Sequence, residues 1–402
     1  MKTVYLVDFV RTPIGKYGGA LSSIRTDDLA AIVIKKIVEM HPQIEKSLYD
    51  EVILGCANQA GEDNRNVARM ASLLAGLQPS VPAETVNRLC ASGMSAVVNA
   101  ANKIRVGDGD LYIAAGVESM SRAPYVMAKP SEAFSRSPEI YDTAIGWRFV
   151  NPKMKEMYGI DSMGNTAENV AEQFKISRED QDTFALWSQQ KTAKAITIQR
   201  FFKEIITIEI PDKKNTIVIG DDEFPRTDTT IEKLAKLKPA FRTDGKGTVT
   251  AGNSSGLNDG SAALLLASEE AMKKFDLKPL ARFVASAVVG VEPRIMGIGP
   301  LPASQAVLKK AGLSIDQIAV IELNEAFAAQ CLATMRGLGL ADNDPRVNPN
   351  GGAIALGHPL GMSGARLIGT AMFELQEQKK QYALSAMCVG VGQGMATIIE
   401  RV

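Results

Sequence analysis

Two stretches of this sequence repeat one pattern of small residues, and this repeat is the strongest constraint on the fold. Cys90 is followed by Gly93-Met94-Ser95, and His358 is followed at the same spacing by Gly361-Met362-Ser363. A short apolar strand pattern begins 21 residues after the cysteine and 24 residues after the histidine. We interpret the repeat as an internal duplication, in which two halves fold alike and pack about a pseudo-two-fold axis. Coincidence among small residues is the alternative.

The regions around both stretches alternate strand and helix patterns. Apolar runs such as 3–9, 51–56 and 111–116 are typical of buried strands, and 26–40 has the acidic first turn of a helix. This alternation predicts an α/β fold with a mainly parallel sheet and helices on both faces. At about 119–250 the regular alternation of strand and helix patterns gives way to Met, Pro, Arg, Trp and charged residues. We interpret this region as an insertion. The predicted domains are therefore 1–270, including this inserted loop domain, and 271–402.

Charge and cysteine content exclude several classes of function. Lys+Arg and Asp+Glu both total 45 among 402 residues, so no basic field favours nucleic acid or an anionic membrane. No apolar run approaches the ~20 residues of a membrane span, and the N-terminal run is broken by Asp8, unlike a signal peptide. The four cysteines form no Cys-x-x-Cys pair, which argues against both a zinc knuckle and a disulfide framework and predicts a reducing cytoplasm.

Cys90 is the candidate nucleophile. It lies between an extended approach, 81–86, and an apolar helix predicted at 94–104. At such a helix start, unpaired N–H groups and the helix dipole are expected to lower the pKa of the thiol and favour the thiolate. The alternative is a cysteine that is simply a small buried apolar residue.

A thiol nucleophile needs a base, and the chain contains only two histidines. His41 precedes a proline at a polar helix end and is expected to be exposed. His358 is expected to begin a helix with Pro359 at its first position, and by the duplication it would face Cys90. The duplication therefore predicts that the thiol of Cys90 and the imidazole of His358 form a pair.

Three further residues follow strand patterns. Cys388 is a candidate proton carrier, since a thiol suits exchange with a weakly acidic carbon, although a packing role is equally open. Gly390 lacks a side chain, so its N–H could approach an oxyanion closely. Asn324, at a strand-to-helix junction, either caps the helix or holds a water or polarises an oxygen with its amide.

Together these residues resemble the active-site motifs of the thiolase family over essentially the whole chain. The four matching stretches stand in the order Asn87-Arg88-Leu89-Cys90-Ala91-Ser92-Gly93, Asn324-Glu325-Ala326-Phe327, Gly357-His358-Pro359-Leu360-Gly361-Met362-Ser363-Gly364 and Cys388-Val389-Gly390-Val391-Gly392-Gln393-Gly394. The resemblance implies two similar βαβαβαββ halves in five αβαβα layers with an inserted loop domain. It also implies a homodimer or homotetramer.

The resemblance further implies ping-pong chemistry on CoA thioesters. His358 would activate Cys90 to attack a 3-oxoacyl-CoA, and Cys388 would protonate the acetyl-CoA enolate that leaves. Asn324, through a bound water, and His358 would stabilise the enolate oxygen, and the N–H groups of Cys90 and Gly390 would form a second oxyanion site. Free CoA would be a co-substrate, with no resident cofactor and no metal.

Contacts to CoA carry over by resemblance alone. The matching positions are Met163, Arg226, Phe241, Ala251, Ser255, Met296 and Phe327. Ser162 departs from several biosynthetic thiolases, which are similar but carry a histidine there beside the pantetheine. The departure bears on that contact and on the preference for short acyl chains.

Two blocks, 55–69 and 145–152, look most like the 3-oxoadipyl-CoA thiolases of aromatic degradation. Such a substrate ends in a carboxylate, which needs a cation when it leaves water. Candidates are Arg148, Lys153 and Arg65, each of which is otherwise a surface charge. The alternatives are a general 3-ketoacyl-CoA or acetoacetyl-CoA thiolase, a catalytically silent CoA or lipid carrier, and a related condensing enzyme, which would call for a second histidine or His/Asn pair.

Overall fold

A computed structural model describes residues 1–212 and 215–402. The strands of the described chain are β1 Val4–Arg11, β2 Gly15–Lys16, β3 Glu51–Gly55, β4 Ala83–Val86, β5 Leu111–Ser119, β6 Tyr125–Met127, β7 Ile140–Asp142, β8 Ile208–Asp212, β9 Asn215–Ile219, β10 Asn258–Ser268, β11 Ala281–Gly290, β12 Ile318–Leu323, β13 Tyr382–Val389 and β14 Gln393–Arg401. Most β5 and β10 residues are apolar, and both strands are buried throughout.

The helices are α1 Thr26–Met40, α2 Val67–Leu74, α3 Ser92–Val106, α4 Pro152–Tyr158, α5 Met163–Gln173, α6 Arg178–Thr197, α7 Ile231–Ala235, α8 Glu269–Lys274, α9 Pro300–Ala311, α10 Ala328–Gly337, α11 Ala353–Leu356 and α12 Leu360–Gln378. The acidic first turn predicted for α1 is present. Within 1–212 and 215–402, no helix is both long and apolar enough to cross a bilayer.

The main sheet consists of two arrays with matching strand order. One runs β1-β10-β5-β3-β4 and the other runs β11-β14-β13-β12. The arrays meet where β1 and β11 pair over only two residues on each strand. Each of these two strands also has a register irregularity near its start, between Leu6 and Asp8 in β1 and between Phe283 and Ala285 in β11. This correspondence is what a duplicated half predicts.

The expectation of a mainly parallel sheet was wrong. Only the pairs β3–β4, β3–β5 and β12–β13 are parallel among the pairs described, whereas β10 and β14 run antiparallel to both of their neighbours. The reason is that β10 enters the sheet from the long segment that follows β5, and β14 enters from a tight turn after β13. Alternation along the chain does not specify the direction of such strands.

Three apolar cores separate the layers. The central core contains residues of α3 and α12 together with residues from both arrays. One outer core joins α1 and α2 to the first array, and the other joins α9 and α10 to the second. The order of layers is therefore helix, sheet, helix, sheet, helix.

The two central helices touch through the glycines of the repeated motif. A Cβ on Gly93 would lie 2.5 Å from the carbonyl oxygen of Gly361, and a Cβ on Gly364 would lie 2.3 Å from the nitrogen of Met94. Side chains at these positions would hold the backbones apart. The starts of α3 and α12 are thus placed side by side.

A buried ion network joins the segment between β5 and β10 to the rest of the fold. Arg11, fully buried on β1, donates to Glu204 at 2.9 Å and to both carboxylate oxygens of Asp222 at 2.7 and 2.9 Å. Arg200 in the same segment pairs with Glu374 of α12 at 2.9 Å. Since each charge has a partner, the network anchors this segment at a defined place.

Candidate active site

Cys90 lies in a single 3₁₀ turn, Leu89–Ala91, which runs directly into α3. The preceding residue, Leu89, has a φ of +46°, a strained conformation for a residue with a side chain. Ser92 stabilises the turn, because its hydroxyl donates to the carbonyl of Leu89 and accepts from the N–H of Arg88. Only 7% of Cys90 is exposed. Cys90 therefore lies just before the first residue of a helix, as the sequence predicted for the nucleophile.

The expected low pKa of Cys90 was wrong. Burial raises the pKa of this thiol to about 11, and the nearby N–H of Gly390 offsets only part of that rise. Desolvation disfavours the thiolate more than the backbone N–H groups favour it. Cys90 is therefore a neutral thiol at rest and needs a base.

His358 precedes α12 instead of starting it, since Pro359 is the N-cap and the helix begins at Leu360. Burial, together with the charge of Arg366, lowers the pKa of His358 to about 3, so the ring is neutral at physiological pH. The other histidine, His41, is buried with Nε2 3.4 Å from a carboxylate oxygen of Asp8, contrary to the expected exposure.

Hydrogen bonds select one tautomer of His358. The Ser363 hydroxyl donates to the carbonyl of Pro359 at 2.8 Å, so its oxygen is free to accept from Nδ1–H of His358 at 2.6 Å. Nε2 then carries the lone pair and lies 3.2 Å from the amide nitrogen of Asn324. The ring is oriented as a base through Nε2.

Ser363→Ala is expected to lower kcat about 10-fold, the effect of losing one hydrogen bond of roughly 1.4 kcal/mol. Without the hydroxyl, Nδ1–H has no acceptor and the alternative tautomer becomes populated. Steady-state kinetics would measure the loss. Ser385→Ala is the matched control, because Ser385 is a buried serine that donates to α12 at Leu367 and is expected to keep kcat within about 2-fold. Equal losses in both variants would contradict the tautomer assignment.

Asn324 is not a helix cap, because α10 begins four residues later and Phe327 is its N-cap. Its amide nitrogen faces His358, and its Oδ1 is buried without a hydrogen-bond partner among the described residues. An unpaired buried oxygen is a position where a bound water would be satisfied. Of the two roles that the sequence left open for Asn324, the structure therefore favours the one in which its amide holds a water or polarises an oxygen.

Cys388 lies at the end of β13, fully buried, and Gly390 follows in the turn to β14. Burial, with a smaller contribution from Cys90, raises the pKa of Cys388 above its usual value. The turn that carries Cys90 packs against β13, and the N–H of Gly390 lies beside the thiol of Cys90, so all three residues share one site. Both thiols are protonated at rest.

The predicted pairing of Cys90 with His358 is supported by proximity of their backbones, not by a direct bond. The motif glycines Gly93 and Gly361 touch, so the two residues precede adjacent helices. No hydrogen bond among the described residues joins Cys90 to the ring of His358, whose nitrogens contact Asn324 and Ser363. Proton transfer between them stays a prediction.

Several residues predicted to contact CoA lie beside Cys388. Met163 and Phe327 pack against the apolar cluster that contains Cys388 and Met296. Phe241 meets Phe327 edge to face, with ring centroids 6.3 Å apart. The backbone N–H of Ser255 donates to Ala326, next to Phe327, at 3.0 Å. Four of these positions form an apolar wall next to the thiol, and Ser255 lies beside it.

Arg226 and Ala251 lie elsewhere, in the lining of a cleft of about 250 Å³ that also includes Lys233. Arg226 stacks over the ring of Phe224 at 5.4 Å. Asp228, which also lines this cleft, pairs with Lys233, and the guanidinium of Arg226 suits a phosphate group of a ligand. Ser162, which stands where similar sequences carry a histidine, caps α5 by accepting a hydrogen bond from the N–H of Asn165.

Of the three candidate cations for a distal carboxylate, Arg148 is the half-buried one. Its charge acts on the buried carboxyl group of Asp63. A carboxylate oxygen of Asp63, the Sγ of Cys56 and a carboxylate oxygen of Glu118 all lie within 4.8 Å of one another. Arg65 and Lys153 are exposed. Sequence reasoning assigned no role to Glu118, Ser363 or Arg366. Ser363 belongs to the repeated Gly-Met-Ser pattern, and the local signal for Glu118 is an acidic residue at the end of an apolar strand.

Comparison with known proteins agrees with this geometry. Family models for the thiolase N-terminal and C-terminal domains match residues 4–270 and 277–401. A beta-ketoadipyl-CoA thiolase of Acinetobacter baylyi is 59% identical over 403 residues, with 100% of both chains covered. A 3-oxoadipyl-CoA/3-oxo-5,6-dehydrosuberyl-CoA thiolase of Escherichia coli is also 59% identical over 403 residues with the same coverage.

A solved thiolase structure is similar to this chain in fold. The crystal structure of human mitochondrial 3-ketoacyl-CoA thiolase in complex with CoA has a TM-score of 0.91 and 40% identity, covering 100% of this chain and 98% of that chain. The resemblance and the fold predicted from the sequence are thereby confirmed. The chain belongs to the thiolase family and is an acyltransferase enzyme with the thiolase fold.

Proposed function

We propose that this enzyme cleaves 3-oxoadipyl-CoA with free CoA to succinyl-CoA and acetyl-CoA. The observation that supports the chemistry best is a buried site in which two protonated thiols, Cys90 and Cys388, lie on elements packed against the helix that follows His358, whose imidazole is held as a neutral base. Support for the substrate comes from full-length relatives named for that substrate at 59% identity.

In the first half of the proposed reaction, Nε2 of His358 takes the proton of Cys90 as sulfur attacks the 3-keto carbon. The bond between C2 and C3 then breaks, and its electrons form the enolate of acetyl-CoA. Cys388 gives that carbon its proton, and the succinyl group remains on Cys90. The water proposed at Asn324 and the imidazolium of His358 stabilise the enolate oxygen.

In the second half, the thiolate of Cys388 takes the proton of the CoA thiol, and the CoA sulfur attacks the acyl-Cys90 thioester. The N–H groups of Cys90 and Gly390 stabilise the oxyanion, and Cys90 leaves with the proton that His358 held. Each proton and each acyl group in both halves is carried by a side chain or by CoA, so we propose CoA as a co-substrate with no resident cofactor or metal. The CoA contacts are those assigned above.

A cleavage assay tests the substrate. Consumption of CoA is compared for 3-oxoadipyl-CoA, acetoacetyl-CoA and 3-oxohexanoyl-CoA, the last of which has the same chain length but no distal carboxylate. We expect the highest kcat/KM for 3-oxoadipyl-CoA. A higher value for acetoacetyl-CoA would favour the second candidate, an acetyl-CoA acetyltransferase, which the 42% identical Bacillus anthracis structure of that name supports.

Arg148→Ala is expected to lower kcat/KM for 3-oxoadipyl-CoA about 10- to 100-fold, because a charged hydrogen bond to a carboxylate contributes about 1.5–3 kcal/mol. The loss for 3-oxohexanoyl-CoA is expected to stay below about 3-fold, since its end group carries no charge. Lys153→Ala, an exposed cation in the same segment, is the control. Equal losses on both substrates would exclude Arg148 as the partner of the carboxylate.

We also propose that the enzyme is a homodimer or homotetramer in the cytoplasm. Strand β4 ends the path of the main sheet, so its outer edge is available to pair with a second copy. The hairpin of β6 and β7 exposes Tyr125, Met127 and Ile140, an apolar surface that a second contact would cover. All four cysteines are free thiols, as a reducing compartment requires. Sedimentation equilibrium would give the number of subunits.

A further inference from the structure

Glu118 is a buried carboxylate at the end of β5 that the mechanism above does not use. Only 1% of it is exposed. Its Oε2 accepts the N–H groups of Ala57 at 3.0 Å and Gly361 at 2.8 Å, and its Oε1 accepts the N–H of Asn58 at 3.0 Å. A buried carboxylate with three N–H donors is held in one orientation.

These donors belong to elements that carry the site. Gly361 is in the first turn of α12, three residues after His358, and Ala57 and Asn58 follow β3 of the first array. Glu118 therefore ties the start of the helix that positions the proposed base to the half that carries Cys90. The approach is close, because a Cβ on Gly361 would lie 2.2 Å from the carbonyl oxygen of Val117.

Glu118 also lies at the junction that holds Cys90, because Gly361, whose N–H it accepts, contacts Gly93, three residues after the thiol. The charge of Glu118 therefore acts on Cys90. Burial is the larger cause of the raised pKa of that thiol, and the charge of Glu118 raises this pKa further. The other ionisable groups near this pair are Cys56 and Asp63, which face Glu118, and Cys388, which faces Cys90. Burial raises the pKa of Glu118 itself to about 7. The anion thus forms over the physiological range.

We propose that Glu118 is a positioning residue with two separable effects: its hydrogen bond to Gly361 holds α12 and His358 in register with Cys90, and its negative charge, at the same helix junction, adds to burial in opposing the thiolate of Cys90. The proposal rests on the assignment of Cys90 as the nucleophile. It adds a residue from outside the four sequence motifs to the control of that thiol.

Two variants separate the effects. Glu118→Gln removes the charge, yet its amide oxygen can keep the two bonds made by Oε2, including the bond to Gly361. Glu118→Asp keeps the charge but withdraws the carboxylate by one methylene from Gly361. The pH dependence of Cys90 alkylation by iodoacetamide, followed by mass spectrometry of the Cys90 peptide, reports the charge, and kcat reports the positioning.

We expect Glu118→Gln to move the alkylation midpoint down by about half a pH unit or more, because a nearby anion no longer opposes the thiolate. Glu118→Asp should leave that midpoint unchanged and lower kcat about 10-fold or more through misplacement of His358. Glu168→Gln is the control, since Glu168 is a buried carboxylate that likewise accepts backbone N–H groups, from Thr248 and Val249, without acting on Cys90. Its midpoint should not move.

An unchanged midpoint in Glu118→Gln, or equal shifts in both Glu118 variants, would overturn the proposal, since equal shifts indicate greater exposure of the thiol. If Glu118→Gln does not fold, the native enzyme tests the charge: its alkylation rate should rise less than about tenfold per pH unit between about pH 6 and 8. A full tenfold rise there would overturn it. Failure of the proposed function is a separate result, namely cleavage activity that survives alkylation of Cys90.

Discussion

Cys90→Ala is expected to abolish cleavage of 3-oxoacyl-CoA substrates, lowering kcat by about 10³-fold or more, because the acyl group loses the sulfur that carries it between the two half-reactions. Incubation with succinyl-CoA followed by intact-mass measurement should show an acyl adduct on the native enzyme and none on the variant. The buried position of Cys90 beside the N–H of Gly390 makes it the acceptor of that group.

Cys388→Ser provides the contrast within the same site. Carbon–carbon cleavage should be lost, since the enolate carbon has no thiol to protonate it. Transfer of an acyl group from succinyl-CoA to Cys90 needs no proton at carbon, and water can supply the proton that the departing CoA sulfur would otherwise take from Cys388. The adduct should therefore still form, more slowly than on the native enzyme. Cys56→Ala, another buried cysteine, is the control and should keep the Cys90 adduct. An adduct on Cys90→Ala would assign the acyl carrier to another residue.

Gly116→Ala is expected to lower the free energy of unfolding by about 3 kcal/mol or more, since the added methyl meets backbone that has nowhere to move. A Cβ on Gly116 would lie 2.1 Å from the carbonyl oxygen of Gly361, which belongs to the first turn of α12. Activity should fall as well, because α12 follows directly after His358. Urea denaturation followed by circular dichroism measures the change.

Gly290→Ala is the matched control for that substitution. Gly290 also lies in a strand, β11, and the nearest atom to its added Cβ would be 4.0 Å away. Its free energy of unfolding should change by less than about 1 kcal/mol. A similar loss in both variants would mean that strand propensity, and not contact with α12, sets the cost.

Much of the site was predictable because its motifs are local. A thiol or imidazole beside a Gly-Met-Ser run, and a cysteine after a buried strand, can be recognised without knowing what lies opposite them. The repeat around Cys90 and His358 predicted that two helices meet, and contact between Gly93 and Gly361 agrees with it. Strand direction was not predictable, because β10 and β14 return to the sheet by different routes.

The sequence by itself determined the duplicated fold, the chemical class of the site and the residues able to carry the reaction, because these depend on residue type and spacing. Tertiary structure decided their electrostatics. Burial overrides the helix start at Cys90 and raises the pKa of its thiol, whereas it lowers the pKa of His358. Glu118 acquires its place beside Gly361 only through packing of distant segments. Desolvation and long-range hydrogen bonds depend on what surrounds a group in space, and no local pattern encodes that.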